Sequence, residues 1–451
     1  MGSEIKLIKD PIYGFIEIEL PKDKIILDII DTIEFQRLRY ICQLGLSYYT
    51  YPSANHTRFE HSLGVYSLAS EFLEKIPEDE LDENDRIIFK IAALIHDVGH
   101  GPYSHVWENI TKAIFRKRLM KKDFPSHEDW LIRILSSSTQ LAKRLEKDGL
   151  LDEVRSLLCF IYSNKIKCRR RFNPKPSWLI LLKLLSSELD IDRLDYILRD
   201  SYFTGVASGV YDFDRLKYSL IYDREYKRLA VRERDYLTIE GFFISRYHMY
   251  RMVYNHKTTI SAETVMKNAF LRAYDLYHKD KLDKERLLPS IKVALENHCN
   301  PNLPAYIQLT DPVVMAQIYV WTKAGDKILR DLSTRLLTRK LFKPILLKKN
   351  LSVDDEAEIK DIISRNGFDP EYYYDYVPNV VPRYTPFSYE VSPDEYKEDV
   401  WGVVIYESKK DISEYSSFVK SLVSITPQVK GFLLVPDEKT RLDVTNKVLG
   451  A

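Results

Sequence analysis

Apolar and polar residues alternate with two different periods along this chain. Near its start the period is two. Ile16, Ile18 and Leu20 alternate with Glu17 and Glu19, which predicts a hairpin over residues 5–20 that Pro21 ends. From there to about residue 340 the apolar positions recur at helical spacing. Helices are predicted over 25–40, 58–76 and 85–96. The third carries Ile87, Ile88, Ile91, Ala92 and Ile95 on one face, so His96 and Asp97 fall at its inner C-terminal end, before Gly99, Gly101 and Pro102 break it. A long apolar helix is predicted over 178–199. Asp192, Tyr196 and Asp200 follow at i, i+4 and i+8 and share a face. A short hairpin within 213–235 and further helix over 236–280 complete this part.

The pattern changes near residue 340. Beyond it come Tyr372-Tyr373-Tyr374, proline-rich turns, strand candidates at 401–406 and 431–436, and a helix candidate at 412–423. The expected fold class is therefore mainly α, with short β-hairpins at the N-terminus and mid-chain. A helical unit over 1–340 and a small α+β lobe over 341–451 are expected. There is no internal repeat and no low-complexity tract.

Composition narrows the functional classes. Hydrophobic residues make up 45% and charged residues 29% of 451, as in soluble globular proteins. The formal net charge of +1 provides no global attraction to nucleic acid or to an anionic membrane, so an anionic substrate must be held by local basic clusters. Basic stretches at 112–122 and 165–171 read as solvated faces, though they leave room for nucleic-acid contact. Cys42, Cys159, Cys168 and Cys299 form no C-x-x-C pair, so neither a zinc ribbon nor a disulfide framework is indicated, and a cytoplasmic location fits. No segment is long and uncharged enough to span a bilayer.

Histidine placement adds the chemistry. Of 10 His, five (His56, His61, His96, His100, His105) lie in the segments 56–64 and 95–105. A lone histidine on a helix is ordinarily a packed or surface residue. Here an adjacent His96-Asp97 pair at a helix end combines with His61 near another helix start. Asp192 adds a carboxylate on an apolar helix, where a cation partner is expected. Two imidazoles and two carboxylates suit Fe, Mn, Zn, Ni or Co better than Ca.

With His61, His96-Asp97 and Asp192 in this order, the chain resembles the HD-domain phosphohydrolases. Longer stretches are similar to their deoxynucleoside triphosphate triphosphohydrolase branch. These are Glu34-Phe-Gln-Arg-Leu-Arg-Tyr40, Gln43-Leu44-Gly45, Arg58-Phe-Glu-His-Ser-Leu-Gly-Val65, His96-Asp-Val-Gly-His-Gly-Pro-Tyr-Ser-His105, Asp190-Ile-Asp-Arg-Leu-Asp-Tyr196 and Tyr254-Asn-His-Lys257. The likeness covers about residues 5–280 and fades beyond. It implies hydrolysis of a dNTP to deoxynucleoside and intact triphosphate, with a transition metal on His61, His96, Asp97 and Asp192 and Mg as a candidate companion of the substrate phosphates.

The same resemblance implies His105 as general acid, oriented by Glu108 where the family has Asp, with His100 and His127 lining the phosphates. Arg58, Arg193, Tyr196 and Arg246 would grip the phosphates. Gln43, Leu44 and Asp200 would contact the nucleoside, and Tyr254 would pack under the sugar and exclude a 2′-hydroxyl. It further implies a homo-oligomer, a tetramer above all, activated by GTP or dGTP. Lys6, Asp31, Gln36, Arg39, Arg215, Arg232, Arg234 and Lys257 match the activator positions. Lys9 and Phe15 depart from the usual Asn and His. Two alternatives stay open: another nucleotide phosphoester as substrate, or a nucleic-acid-binding or nuclease protein on the same fold.

Overall fold

The structure, a computed structural model, describes residues 4–121, 123–166, 174–387 and 401–449. Strands β1 (Glu4–Asp10) and β2 (Gly14–Leu20) form the expected antiparallel hairpin, with Glu4 opposite Leu20 and Asp10 opposite Gly14. The alternation turns Ile16 and Ile18 inward to full burial. The single helix expected over 25–40 is instead α1 (Lys24–Ile30), α2 (Ile33–Gln36) and a 3-10 turn at Arg37–Tyr40. Thr32 breaks it by taking an extended backbone, φ −72° and ψ 148°, as the N-cap of α2.

Helices α3 (Arg58–Leu73) and α4 (Glu83–Ile95) pack against each other as the apolar stripes require. Asp82 caps α4 by accepting a hydrogen bond from the Asp85 amide at 2.7 Å. They are followed by α5 (His105–Lys117), α6 (His127–Leu135), α7 (Gln140–Lys147) and α8 (Leu151–Ile161). The long helix expected over 178–199 is two helices, α9 (Trp178–Leu185) and α10 (Ile191–Thr204). Asp190 makes the break: its side chain accepts from the Arg193 and Ser187 amides at 2.7 and 2.9 Å and so starts a new helix.

Next come α11 (Phe213–Ser219) and the hairpin β3 (Leu220–Asp223) and β4 (Arg228–Val231). The helix expected over 236–280 is α12 (Tyr236–Met249), a π turn at Tyr250–Tyr254, and α13 (Lys257–His278). Helices α14 (Pro289–Glu296), α15 (Leu303–Gln308), α16 (Asp311–Trp321) and α17 (Lys327–Leu337) follow. Then come β5 (Lys343–Leu347), α18 (Val353–Arg365), α19 (Pro370–Tyr373), β6 (Asp375–Pro378), α20 (Ser417–Val423), β7 (Gly431–Val435) and α21 (Glu438–Val444). Strand β7 lies between β5 and β6, antiparallel to both. The strand expected at 401–406 is only a pair of isolated bridges, Val404 to Asp411 and Ile405 to Val231.

Two apolar cores result. The first gathers the N-terminal hairpin, α3, α4 and α8–α10, together with Val403, Ile405, Ile412 and Val419. The second gathers α5, α13–α18 and the three-stranded sheet. The segment from His96 to His105 carries the chain from one core to the other. Lys122, Cys168 and residues 167–171 lie outside the described residues. In the described part of the first basic stretch, Arg118 is held by Asp275 and Glu371, so it serves the fold. Cys42 and Cys299 are free thiols, whereas Cys159 is disulfide-bonded, a departure from what cysteine spacing indicated. Among the described residues no helix is long and apolar enough to cross a membrane.

Ile91 is completely buried between α3 and its neighbours in the first core. Ile91→Ala should lower stability by about 2–5 kcal/mol through lost burial and a residual cavity. The check is a lower denaturant midpoint with native circular dichroism retained.

Candidate active site

Four ionisable side chains converge where α3, α4 and α10 meet. His61 sits one turn into α3, whose start is fixed by Glu60 accepting from the Thr57 amide at 2.9 Å. His96 ends α4, and its Nδ1 lies 2.8 Å from the Ala93 carbonyl. His61 Nδ1 lies 2.7 Å from Asp195 Oδ2. With each Nδ1 engaged, both Nε2 atoms face one centre. His61 Nε2 is 3.0 Å from Asp192 Oδ1 and 3.5 Å from Asp97 Oδ2. His96 Nε2 is 3.4 Å from Asp97 Oδ1 and 3.8 Å from Asp192 Oδ1.

This donor set fits a divalent metal. The ligand atoms of His61, His96 and Asp97 all lie within 4.8 Å of one another, and Asp192 closes the open side with 36% of its side chain exposed. His96 Nε2 is buried without a hydrogen-bond partner among the described residues, an expensive arrangement unless a cation takes its lone pair. The field points the same way. Burial opposes charge on His61, yet hydrogen bonds to Asp192 and Asp195 and the charges of Asp195 and Asp97 raise its pKa to about 10. The centre stabilises positive charge.

Asp195 and Arg199 are what the sequence reading missed. Asp195 holds His61 with one oxygen, and both its oxygens accept from Arg199, at 2.9 Å each. Arg199 also donates to Asp10 at the end of β1, at 2.8 Å. A Cβ on Gly64 would fall 1.9 Å from Asp195 Oδ1, so α3 needs glycine where α10 approaches. The only sequence signal was spacing: Asp195 follows Asp192 by three positions, on the same side of one helix.

A histidine cluster adjoins the metal centre. His100 stacks on His127 with ring centroids 3.8 Å apart, and its Nε2 lies 3.3 Å from Asp97 Oδ1. Burial, with the charges of Arg58 and His127, pushes the His100 pKa well below the usual imidazole value. Glu108 joins the other two rings. Its Oε2 is 3.0 Å from His105 Nδ1, and its Oε1 is 2.7 Å from both the His127 amide and His127 Nδ1. Burial works against its charge, but the two imidazoles hold Glu108 far below the usual carboxylate range. Glu128 and Lys165 continue this chain outward from His127, at 3.3 and 2.9 Å.

Asp200 and Tyr254 meet as well: Tyr254 donates to Asp200 Oδ2 at 2.8 Å, and His56 Nε2 lies 2.7 Å from Asp200 Oδ1. Tyr196 lies edge-on to Tyr254, 6.0 Å between centroids. Leu44 packs partly buried on the first core, and Gln43 Oε1 is buried without a hydrogen-bond partner among the described residues. The arginines arrive engaged. Arg58 pairs with Asp97 and donates to Ser104 Oγ at 2.7 Å. Arg193 is held by Asp190 and the Ser187 carbonyl, and Arg246 by Glu188 at 2.6 Å.

Of the residues matched to an activator, Gln36 and Arg232 are half-buried, and Lys6, Asp31, Arg39, Arg215, Arg234 and Lys257 are exposed. Gln36 bridges the Ile30 carbonyl and Arg39, Arg215 lies 3.6 Å from Asp235, and Arg232 donates to the Tyr218 carbonyl at 3.1 Å.

A helical core that presents paired imidazoles and carboxylates from three helices to one point defines an HD-domain protein. A family model described as the HD domain matches residues 58–160. The chain is 32% identical over 375 residues to the uncharacterized protein YwfO of Bacillus subtilis, covering 82% of this chain and 79% of that one. It is 30% identical over 360 residues to human deoxynucleoside triphosphate triphosphohydrolase SAMHD1, covering 75% of this chain and 54% of that one. The crystal structure of a phosphohydrolase from Bacteroides thetaiotaomicron superposes with a TM-score of 0.75 at 29% identity, over 96% of this chain and all of that one. The chain belongs to the HD-domain phosphohydrolase family.

Asp195→Asn removes the charge and one of the two acceptor oxygens that hold His61 and Arg199, without changing any of the four candidate ligands. Divalent-metal affinity should fall roughly 10–100-fold, measured by chelator competition; unchanged affinity would refute the role given to Asp195. Gly64→Ala should weaken binding at least as much.

Proposed function

We propose that this protein hydrolyses deoxynucleoside triphosphates to the deoxynucleoside and inorganic triphosphate. The observation that carries the reading is the Tyr254–Asp200 hydrogen bond, whose acceptor lies on the helix that also carries Asp192. In this reading the bond fixes the Tyr254 ring that would pack under the sugar and exclude a 2′-hydroxyl, and Asp200, whose two oxygens are engaged by Tyr254 and His56, would take the 3′-hydroxyl in exchange for one of them. Burial and the neighbouring Asp200 charge raise the Tyr254 pKa well above the usual phenol value, so the ring stays neutral. The similarity to enzymes named for this activity supports the same substrate class.

In this reading water attacks the α-phosphorus and the 5′ oxygen leaves. A divalent transition metal on His61, His96, Asp97 and Asp192 would supply Lewis acidity toward the phosphoryl group and the attacking water. His105 donates the proton that the leaving oxygen requires. With Nδ1 engaged by Glu108, its free Nε2 carries that proton, and its side chain is 66% exposed toward the cleft. Glu108 orients the ring and steadies its charge. Arg58, Arg193 and Arg246 answer the phosphate charge, with Tyr196 beside them, and Gln43 and Leu44 contact the nucleoside. Activation by a guanine nucleotide and assembly as a tetramer belong to the same proposal.

Incubating the protein with each dNTP, with and without GTP, should release triphosphate and deoxynucleoside; pyrophosphate or orthophosphate as first product would overturn the reading. The paired variant His96→Ala with Asp97→Ala should lose both bound metal and turnover. Tyr254→Ala should narrow the preference for dNTP over NTP, read as a ratio of kcat/KM values.

A further inference from the structure

One buried carboxylate from the second core holds two edges of the proposed active site. Asp311 is the first residue of α16 and is 5% exposed. Its Oδ2 accepts from the Cys42 amide at 2.8 Å, and its Oδ1 accepts from the Tyr103 amide at 2.5 Å. Cys42 directly precedes Gln43 and Leu44. Tyr103 and Ser104 directly precede His105. The two segments also touch each other. Ser104 Oγ donates to the Cys42 carbonyl at 2.7 Å, and a Cβ on Gly45 would lie 3.0 Å from the Tyr103 carbonyl.

The turn before His105 needs holding. Tyr103 and Ser104 have φ of 54° and 57°, a region that side chains other than glycine rarely occupy. Such backbone persists only where its surroundings over-determine it. Asp311 secures the first amide of that pair, from a helix some two hundred residues away in sequence.

We propose that Asp311 is a positioning residue that locks the Gln43 loop to the His105 turn, fixing the distance between nucleoside recognition and proton donation. The proposal rests on the dNTP reading above. The lock uses both carboxylate oxygens as acceptors, which the ionised form provides. The titratable and charged groups facing Asp311 are Arg37, Cys42, Tyr48 and Tyr103. Burial raises the pKa of Cys42 and both phenols, so they stay neutral. The Arg37 guanidinium is bonded to the Leu309 and His100 carbonyls. Burial, partly offset by the Cys42 and Tyr103 amides and by Arg37, raises the Asp311 pKa to about 6.

Asp311→Asn keeps the shape but turns an NH2 group toward one of the two amides. In the full chain, kcat for dNTP should fall roughly 10–100-fold, as misplacement of a reacting group does, with bound metal per chain unchanged. Deuterium uptake should rise in peptides covering 40–46 and 100–106 and stay constant over 191–204. Unchanged uptake in the first two overturns the proposal. So does a rise across the whole chain with loss of metal, which would make Asp311 a folding residue only. Asp311→Ser, smaller and uncharged, supplies a second variant should the first not fold: uptake over the same two peptides should rise with bound metal kept, and unchanged uptake would overturn the lock. Wild-type protein inert toward every dNTP would sink the substrate reading, and the exchange data would still decide on the lock.

Discussion

Arg199 places a full positive charge where water has no access, and the geometry of the site follows from how that charge is neutralised. Asp195 meets it with two oxygens and Asp10 with one. Losing Arg199 itself would leave two carboxylates buried together without their cation, at a cost of about 3–5 kcal/mol. The triad therefore fixes three elements at once: Asp10 ends β1, Asp195 and Arg199 lie on α10, and Asp195 reaches across to His61 on α3. The candidate metal site inherits its rigidity from an ion pair that lies outside its donor set. Gly64 permits it, because any side chain there would occupy the space of the Asp195 carboxylate.

The second constraint is that the site spans two cores. The candidate metal ligands belong to helices of the first core, whereas His105 opens α5, which packs in the second. The connection from His96 to His105 is short and glycine-rich because backbone crosses it closely. A Cβ on Gly99 would lie 2.0 Å from the His127 carbonyl, and one on Gly101 would lie 2.8 Å from the Trp107 ring. Contacts from outside pin the crossing. Tyr306 donates to the Gly99 carbonyl at 2.7 Å, and Arg37 donates to the His100 carbonyl at 2.7 Å. Acid–base groups and metal ligands thus keep their separation although they rest on different cores.

The convergence of His61, His96, Asp97 and Asp192 was legible in the sequence because they are unusual residues in apolar surroundings. The hairpin, α3, α4 and the mainly helical character up to about residue 340 were legible from periodicity alone. What stayed hidden depends on partners distant in sequence. Asp195 looks like any helical carboxylate until His61 and Arg199 are placed around it. His56 stood in the first histidine segment, yet only the fold shows that it holds Asp200. The breaks at Thr32 and Asp190 were invisible to apolar spacing, which runs on through both, because side-chain capping there competes with helix continuation. The segment at 401–406 has strand-like composition but only single bridges to pair with, and β composition without a continuous neighbouring edge does not make a strand.

Glu108 shows how a longer side chain changes the division of labour. A shorter carboxylate has less reach to serve two rings, whereas Glu108 gives Oε2 to His105 and Oε1 to both the amide and the ring of His127. Held far below the usual carboxylate range, it stays ionised, and under the proposed function it would orient the rings and leave proton donation to His105. His100 is held neutral by burial and by neighbouring charge, so it offers hydrogen bonds to a phosphate but no countercharge. Under the proposed function the charge of a triphosphate must then be met by arginines, and Arg58, Arg193 and Arg246 each already face a carboxylate. Binding is in these terms an exchange of partners: each guanidinium that turns to phosphate leaves Asp97, Asp190 or Glu188 needing another cation or donor. For Asp97 the metal centre supplies it, which ties phosphate recognition to occupancy of the HD site through a single pair, Arg58 and Asp97.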